Sequence, residues 1–159
     1  MKSRFKPYPE YKDSGVEWLG KIPEGWDVKK LKRIAASIPF AIVDGPFGTQ
    51  LKSNEYQDSG VPLIRIGNLS FEGEFLSRKL VYISQEKHKE LKRSAISPGD
   101  IVVAKTGATI GKCGLIPQKI SQGTIASSCL KITADTKKID RDFLLFVLVS
   151  KGIQEQIMH

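Results

Sequence analysis

At 159 residues the chain is long enough for one domain that buries about two-thirds of its unfolded surface, so it needs no staples to fold. Its 25 Lys and Arg against 17 Asp and Glu leave a formal charge of +8, which favours polyanionic partners, nucleic acid first. Only His88 and His159 accompany Cys113 and Cys129, a set without zinc-ligand spacing, and the longest apolar run, Phe143 to Val149, is far too short to span a bilayer.

The first 26 residues hold Pro7, Pro9, Gly15, Gly20, Pro23 and Gly25 around Trp18 and Trp26. This composition predicts an extended arm, packed on the domain and pinned by aromatic anchors, rather than a helix. Trp26 to Ala36 reads as a strand and a short turn. An apolar stretch then leads into Ile42-Val43-Asp44-Gly45-Pro46-Phe47-Gly48-Thr49-Gln50-Leu51-Lys52-Ser53, a loop containing glycine, threonine and lysine. Val61 to Leu69 is strand-like, with Pro62 marking an edge or a strand start. Leu80 to Ile83 gives another strand. Ser84 can cap a surface helix reaching about Arg93, on whose apolar stripe His88 is a packed side chain and not a base. Ser127 to Thr133 is a further strand, and Asp140 or Asp142 can cap a helix running through Phe146 toward Ser150. One short echo, Tyr11 to Val16 against Tyr56 to Val61, does not continue into its flanks and reads as two similar turns.

Between these elements, Pro98-Gly99-Asp100 signals a turn, after which Ile101 to Ala104 forms a buried strand feeding Lys105-Thr106-Gly107-Ala108-Thr109-Ile110-Gly111-Lys112. Glycines let another molecule approach the main chain, threonines donate and accept hydrogen bonds, and the lysines supply the cation a phosphate backbone needs. The same letters also suit an ordinary hairpin. A phosphate-cradling loop would need four residues between its glycines and a hydroxyl after the lysine, whereas Gly107 and Gly111 enclose three and Cys113 follows Lys112. A metal-dependent nuclease would need a second acid near Lys105, where Val103 stands. The two cysteines lie in strand-like segments and read as reduced, buried small hydrophobes. Because Met1 to Gly15 is charged and lacks an apolar run, a cytoplasmic location is expected.

Taken together, Tyr11-Lys12-Asp13-Ser14-Gly15-Val16-Glu17-Trp18-Leu19-Gly20 with Ile22-Pro23-Glu24-Gly25-Trp26, the loop Gly45-Pro46-Phe47-Gly48-Thr49, the segment Val61 to Leu69, and Gly99-Asp100 through Ile110-Gly111 resemble one target recognition domain of a type I restriction-modification specificity subunit. The pieces occur in family order and span nearly the whole chain. Such subunits usually carry two recognition domains separated by long helices, and this chain ends about where the first long helix should start. The resemblance implies an α+β fold: a twisted, mostly antiparallel sheet with a few short helices and the start of a long C-terminal helix. It divides the chain into an N-terminal arm (1–26), a DNA target recognition domain (27–142) and the beginning of the helical region (143–159). It further implies a non-catalytic protein without cofactor or metal that reads half of a bipartite site in double-stranded DNA. Its protein partners would be the methyltransferase subunit and, through that, the restriction subunit.

Base edges are read by Arg, Lys, Asn, Gln, Ser and Thr. The expected DNA-binding residues are therefore Thr49, Gln50, Lys52 and Ser53 in one loop, Arg65 and Asn68 on the second element, and Lys105, Thr106, Thr109 and Lys112 in the glycine-rich segment. Lys52 and Lys112 are expected on phosphate, and Gln50, Arg65 and Asn68 on bases. Two other classes stay open on the sequence alone: a basic protein-interaction module, and an enzyme acting on nucleic acid, although no Asn-Pro-Pro-Tyr-like tetrapeptide, cofactor glycine motif or acidic cluster is present.

Overall fold

The computed structural model describes residues 6–158. Two compact units are distinguished, residues 1–33 and 34–159. In the first, β1 (Tyr11–Asp13) pairs antiparallel with β2 (Lys21–Pro23). Asp13 Oδ1 accepts the Gly15 amide at 2.7 Å, closing the turn that leaves β1. Tyr8 packs edge-on against Tyr11 and Trp26, with centroids 6.4 and 5.8 Å away. The segment expected to be an extended arm is thus a small hairpin fastened by aromatics, while Trp18 stays 45% exposed.

No strand forms between Trp26 and Ala36; the segment instead makes a single helical turn, α1 (Leu31–Ile34). The reason is local, because Lys29, Lys30, Lys32 and Arg33 break any apolar alternation and leave a strand nothing to bury.

The second unit contains two four-stranded sheets. In one the order is β3 (Ile42–Asp44), β10 (Cys129–Ile132), β7 (Ile101–Ala104), β8 (Cys113–Leu115), antiparallel throughout. In the other it is β5 (Val81–Ile83), β4 (Val61–Ile64), β9 (Gly123–Ile125), β6 (Ala95–Ile96), with β4 and β9 parallel and the remaining pairs antiparallel. Pro62 lies near the start of β4, opposite Tyr82. The mostly antiparallel α+β architecture expected from the sequence is borne out.

One apolar cluster, including Ile64, Ile96 and Ile125 of the mixed sheet and Val102, Ala104 and Cys129 of the antiparallel one, joins the two sheets. Val61, Leu63 and Ile83, on the other face of the mixed sheet, pack with Leu91 and Ala126. Burial on both faces explains why β7 is four apolar residues in succession. Each fully buried Leu or Ile contributes about 1.5 to 3 kcal/mol.

Two buried charges tie loops to this core. Lys131 of β10 donates to the Ala95 carbonyl at 2.9 Å, linking the sheets, and burial holds its pKa below the usual lysine value against the opposing pull of Asp100. The Asp100 carboxylate accepts the Ser97 amide at 2.8 Å and the Thr133 hydroxyl. The Pro98-Gly99-Asp100 turn therefore uses its acid to close itself.

Ser84 caps α2 (Gln85–Glu90), its hydroxyl accepting the Lys87 amide at 3.1 Å. Asp140, not Asp142, caps α3 (Arg141–Val149), accepting the Phe143 amide at 2.9 Å. The chain does not continue as one long helix: Ser150 turns to extended backbone, its hydroxyl donates to the Val147 carbonyl at 2.6 Å, and α4 (Lys151–Met158) starts afresh. Within the apolar run Phe143 to Val149, Leu144 is buried while Phe146 is 67% exposed. Among the described residues no helix is long and apolar enough to cross a membrane.

Candidate nucleic-acid interface

The loop leaving β3 is fixed at its root. Gly45 donates to the Cys129 carbonyl at 3.0 Å, and a Cβ there would collide with the Ala126 carbonyl oxygen, so no larger residue fits. Farther along, the Phe47 amide donates to Gln50 Oε1 at 2.8 Å across a tight helical turn. The Lys52 amide donates to Glu55 Oε2 at 2.7 Å across the next. Leu51 and Tyr56 pack on the Val61–Leu63 cluster, which leaves Thr49, Gln50, Lys52 and Ser53 exposed at the surface.

Two cations brace this loop. Lys105 Nζ pairs with Asp44 Oδ1 at 3.1 Å and lies 4.9 Å from the centre of the Phe47 ring. Lys87 Nζ reaches Glu55 Oε1 and Glu90 Oε2, each at 2.8 Å, and donates to the Gln50 carbonyl at 3.4 Å. These contacts hold the Glu55 carboxyl below the usual range, Lys87 being the main cause, and raise Lys87 through Glu55 and then Glu90. Beside the loop is a cavity of about 200 Å³, lined in part by Phe47, Gln50, Glu90 and Arg93.

The expected pair Arg65 and Asn68 behaves differently. Asn68 is 1% exposed. Its Oδ1 accepts the Arg65 amide at 3.0 Å, and its Nδ2 donates to the carbonyls of Leu76 and Arg78 at 3.1 Å each. Both amide hydrogens are used inside the fold, so the sequence expectation of Asn68 as a base reader is corrected: it locks the turn after β4 to the backbone at Leu76 and Arg78. Arg65 is half-buried, donating to the Lys79 carbonyl at 3.1 Å with its guanidinium 5.9 Å from the Tyr56 ring centre.

In the glycine-rich segment β7 and β8 form a hairpin whose neck is closed by the Ala104 amide on the Lys112 carbonyl at 2.7 Å and the Gly111 amide on the Ala104 carbonyl at 2.9 Å. Gly107 and Gly111 adopt positive φ of 79° and 91°, which side-chain-bearing residues rarely adopt, so both serve the turn. Gln154 of α4 donates to the Gly111 carbonyl at 3.0 Å. Thr106 is exposed and Thr109 half-buried, while Lys112 Nζ lies 5.3 Å from the Phe71 ring centre. The ten expected residues therefore fall into three groups: the Thr49–Ser53 loop with Lys105, the Arg65–Asn68 turn, and the rest of the hairpin loop with Lys112.

Sequence reasoning missed Phe47, Phe71 and Lys87. A lysine inside a run of lysines carries no sign that it binds two carboxylates, and a phenylalanine in a loop gives no sign of being left at the surface. The remaining reactive types are engaged structurally. Burial pushes the Cys113 and Cys129 thiols up to about 11, and His88, its pKa lowered by burial, shares a 2.8 Å hydrogen bond with the buried Thr124 hydroxyl.

No protein-family model matches the chain. The specificity subunit of the type I restriction enzyme MjaVIII from Methanocaldococcus jannaschii is 26% identical over 161 residues, an alignment covering 99% of this chain and 36% of that protein. The resemblance read from the sequence is borne out. The HsdS subunit from Thermoanaerobacter tengcongensis superposes with a TM-score of 0.61 at 15% identity, covering 92% of this chain and 31% of that one. A chain from a structure of a type I R-M system describing its assembly and conformational transition superposes with a TM-score of 0.58 at 17% identity, over 87% of this chain and 30% of that chain. The protein thus spans about a third of the length of the relatives it matches.

Proposed function

We propose that this chain is a non-catalytic target recognition domain that reads one half of a bipartite site in double-stranded DNA. In this reading it directs the methyltransferase and restriction subunits of a type I system to that site. The observation that carries the reading is the braced loop after β3. Backbone anchoring at Gly45 and the Lys105 and Lys87 contacts fix its course while Thr49, Gln50, Lys52 and Ser53 face outward. A loop whose posture is set before binding loses little entropy when its side chains meet base edges. Similarity to type I specificity subunits supports the same reading, as does the formal charge of +8.

Within this reading, Lys52 and Lys112 sit on phosphates, whereas Gln50 and Arg65 meet base edges. Thr49, Ser53 and Thr106 add shorter hydrogen-bonding contacts, whereas the Thr109 hydroxyl expected among them is enclosed by the fold. Lys105 acts mainly through Asp44 and Phe47, because its ammonium is already paired with a carboxylate.

Fluorescence anisotropy of the chain with labelled duplex DNA at several salt concentrations tests this proposal. Binding that weakens linearly in log affinity against log salt is expected, with a small slope because one domain neutralises few phosphates. Absence of binding at low salt would favour a protein-interaction module instead.

A further inference from the structure

Among the exposed phenylalanines of the second unit, Phe40 lies beneath Arg93, Phe47 beneath Lys105 and Phe71 beneath Lys112, each with the cation over one face. Two of them share one support. Lys105 and Lys112 are the residues at the two ends of the hairpin loop between β7 and β8, directly beside the neck closed by the Ala104–Lys112 and Gly111–Ala104 hydrogen bonds. Phe47 and Phe71 thus come from different loops to the two ends of the same hairpin loop, and they remain 55% and 43% exposed.

Neither ring sits on slack backbone. The Phe47 amide is bound by Gln50 Oε1 at 2.8 Å. Phe71 lies at the tip of a turn closed by the Ser70 hydroxyl, which accepts the amides of Glu72 and Glu74 at 3.1 and 3.0 Å. Ser70 is itself bridged to Cys113, the residue following Lys112, the Cys113 amide donating to the Ser70 carbonyl at 2.9 Å. A phenyl ring held half in water on a rigid turn carries a hydration cost that its own fold does not relieve. A cation over one face orients the ring and leaves the rest open.

We propose that Phe47 and Phe71 are base-contacting residues of the reading surface, making apolar contact with base pairs while Lys112, beside Phe71, and Lys52, on the Phe47 loop, face the phosphates. This inference rests on the DNA-recognition reading above and adds apolar contacts to it. Duplex DNA offers both partners within a short distance, since a thymine methyl or an opened base step lies close to the backbone phosphates.

The test compares wild type with Phe47→Ala and Phe71→Ala on a panel of duplexes varied one base pair at a time, at two salt concentrations. Thermal melts check folding, and Phe47→Leu and Phe71→Leu carry the test should an alanine variant not fold. Each alanine variant is expected to lose about five- to tenfold of its preference at one or two base pairs, with the salt slope unchanged because the phosphate-facing Lys52 and Lys112 remain. Uniform weakening on every duplex with a shallower salt slope would overturn the inference and reduce the rings to supports for the phosphate-facing lysines. Unchanged binding would overturn it too, while leaving DNA recognition in place. Failure of wild type to bind any duplex would remove the underlying reading along with it.

Discussion

The turn after β4 and the loop after β3 are built from the same chemistry, a basic residue and a side-chain amide a few positions apart, yet they have opposite fates. In the turn, Asn68 is closed over by the chain and satisfies one amide and two carbonyls. In the loop, Gln50 uses only its oxygen, on the Phe47 amide, and stays at the surface. An amide is a recognition element only while its hydrogens face outward; enclosed, it becomes a fastener whose loss leaves several backbone groups unpaired.

Substitutions at the two amides separate these roles most sharply. Asn68→Ala is expected to cost about 3 kcal/mol of stability in chemical denaturation, since the Arg65 amide and the Leu76 and Arg78 carbonyls lose their partner inside the fold. A cost below about 1 kcal/mol would mean that the turn relaxes and that burial had not made Asn68 a fastener. Next in size, Gly45→Ala forces a methyl against the Ala126 carbonyl oxygen and should cost about 2 kcal/mol while loosening the loop, lowering stability and base preference together. Gln50→Ala should leave the melting temperature nearly unchanged and remove about 1 kcal/mol of discrimination at one base pair, read from affinities on single-substituted duplexes.

The smallest effect sharpens how the loop is braced. Because Lys87 holds the Glu55 carboxyl below its ordinary 4.5, the contribution of this contact is complete above pH 4.5 and is lost as pH falls through the lower folded value. The Lys52 amide proton, which donates to Glu55 Oε2, reports this directly by NMR. Its resonance should titrate with a midpoint below 4.5, and Lys87→Met should bring that midpoint back toward 4.5.

What the sequence made legible was local. Ser84 and Asp140 announce their helices because a cap needs only residues three positions apart. The Pro98-Gly99-Asp100 turn and the cysteine-bearing strands are likewise visible in short windows. The parallel pairing of β4 with β9 joins residues about sixty positions apart, and no local pattern encodes it. The burial of Asn68 depends on carbonyls eight and ten residues onward, so its letter alone could not separate it from Gln50. The break between α3 and α4 was hidden for a related reason: serine is tolerated within helices, and here side-chain bonds from Ser150 and Gln154 to the last turn of α3 accompany the stop. The candidate site was legible as a set of loops. Its division into braces and outward-facing groups required the contacts of Lys87 and Lys105.

The central claim, that the outward groups on these braced loops read sequence, is tested most directly by enrichment of a randomised duplex pool on the immobilised chain at low and moderate salt. The account predicts a single short, ungapped consensus that sharpens as salt rises and non-specific phosphate binding falls away. A pool recovered without consensus, binding at low salt and lost uniformly at moderate salt, would contradict it.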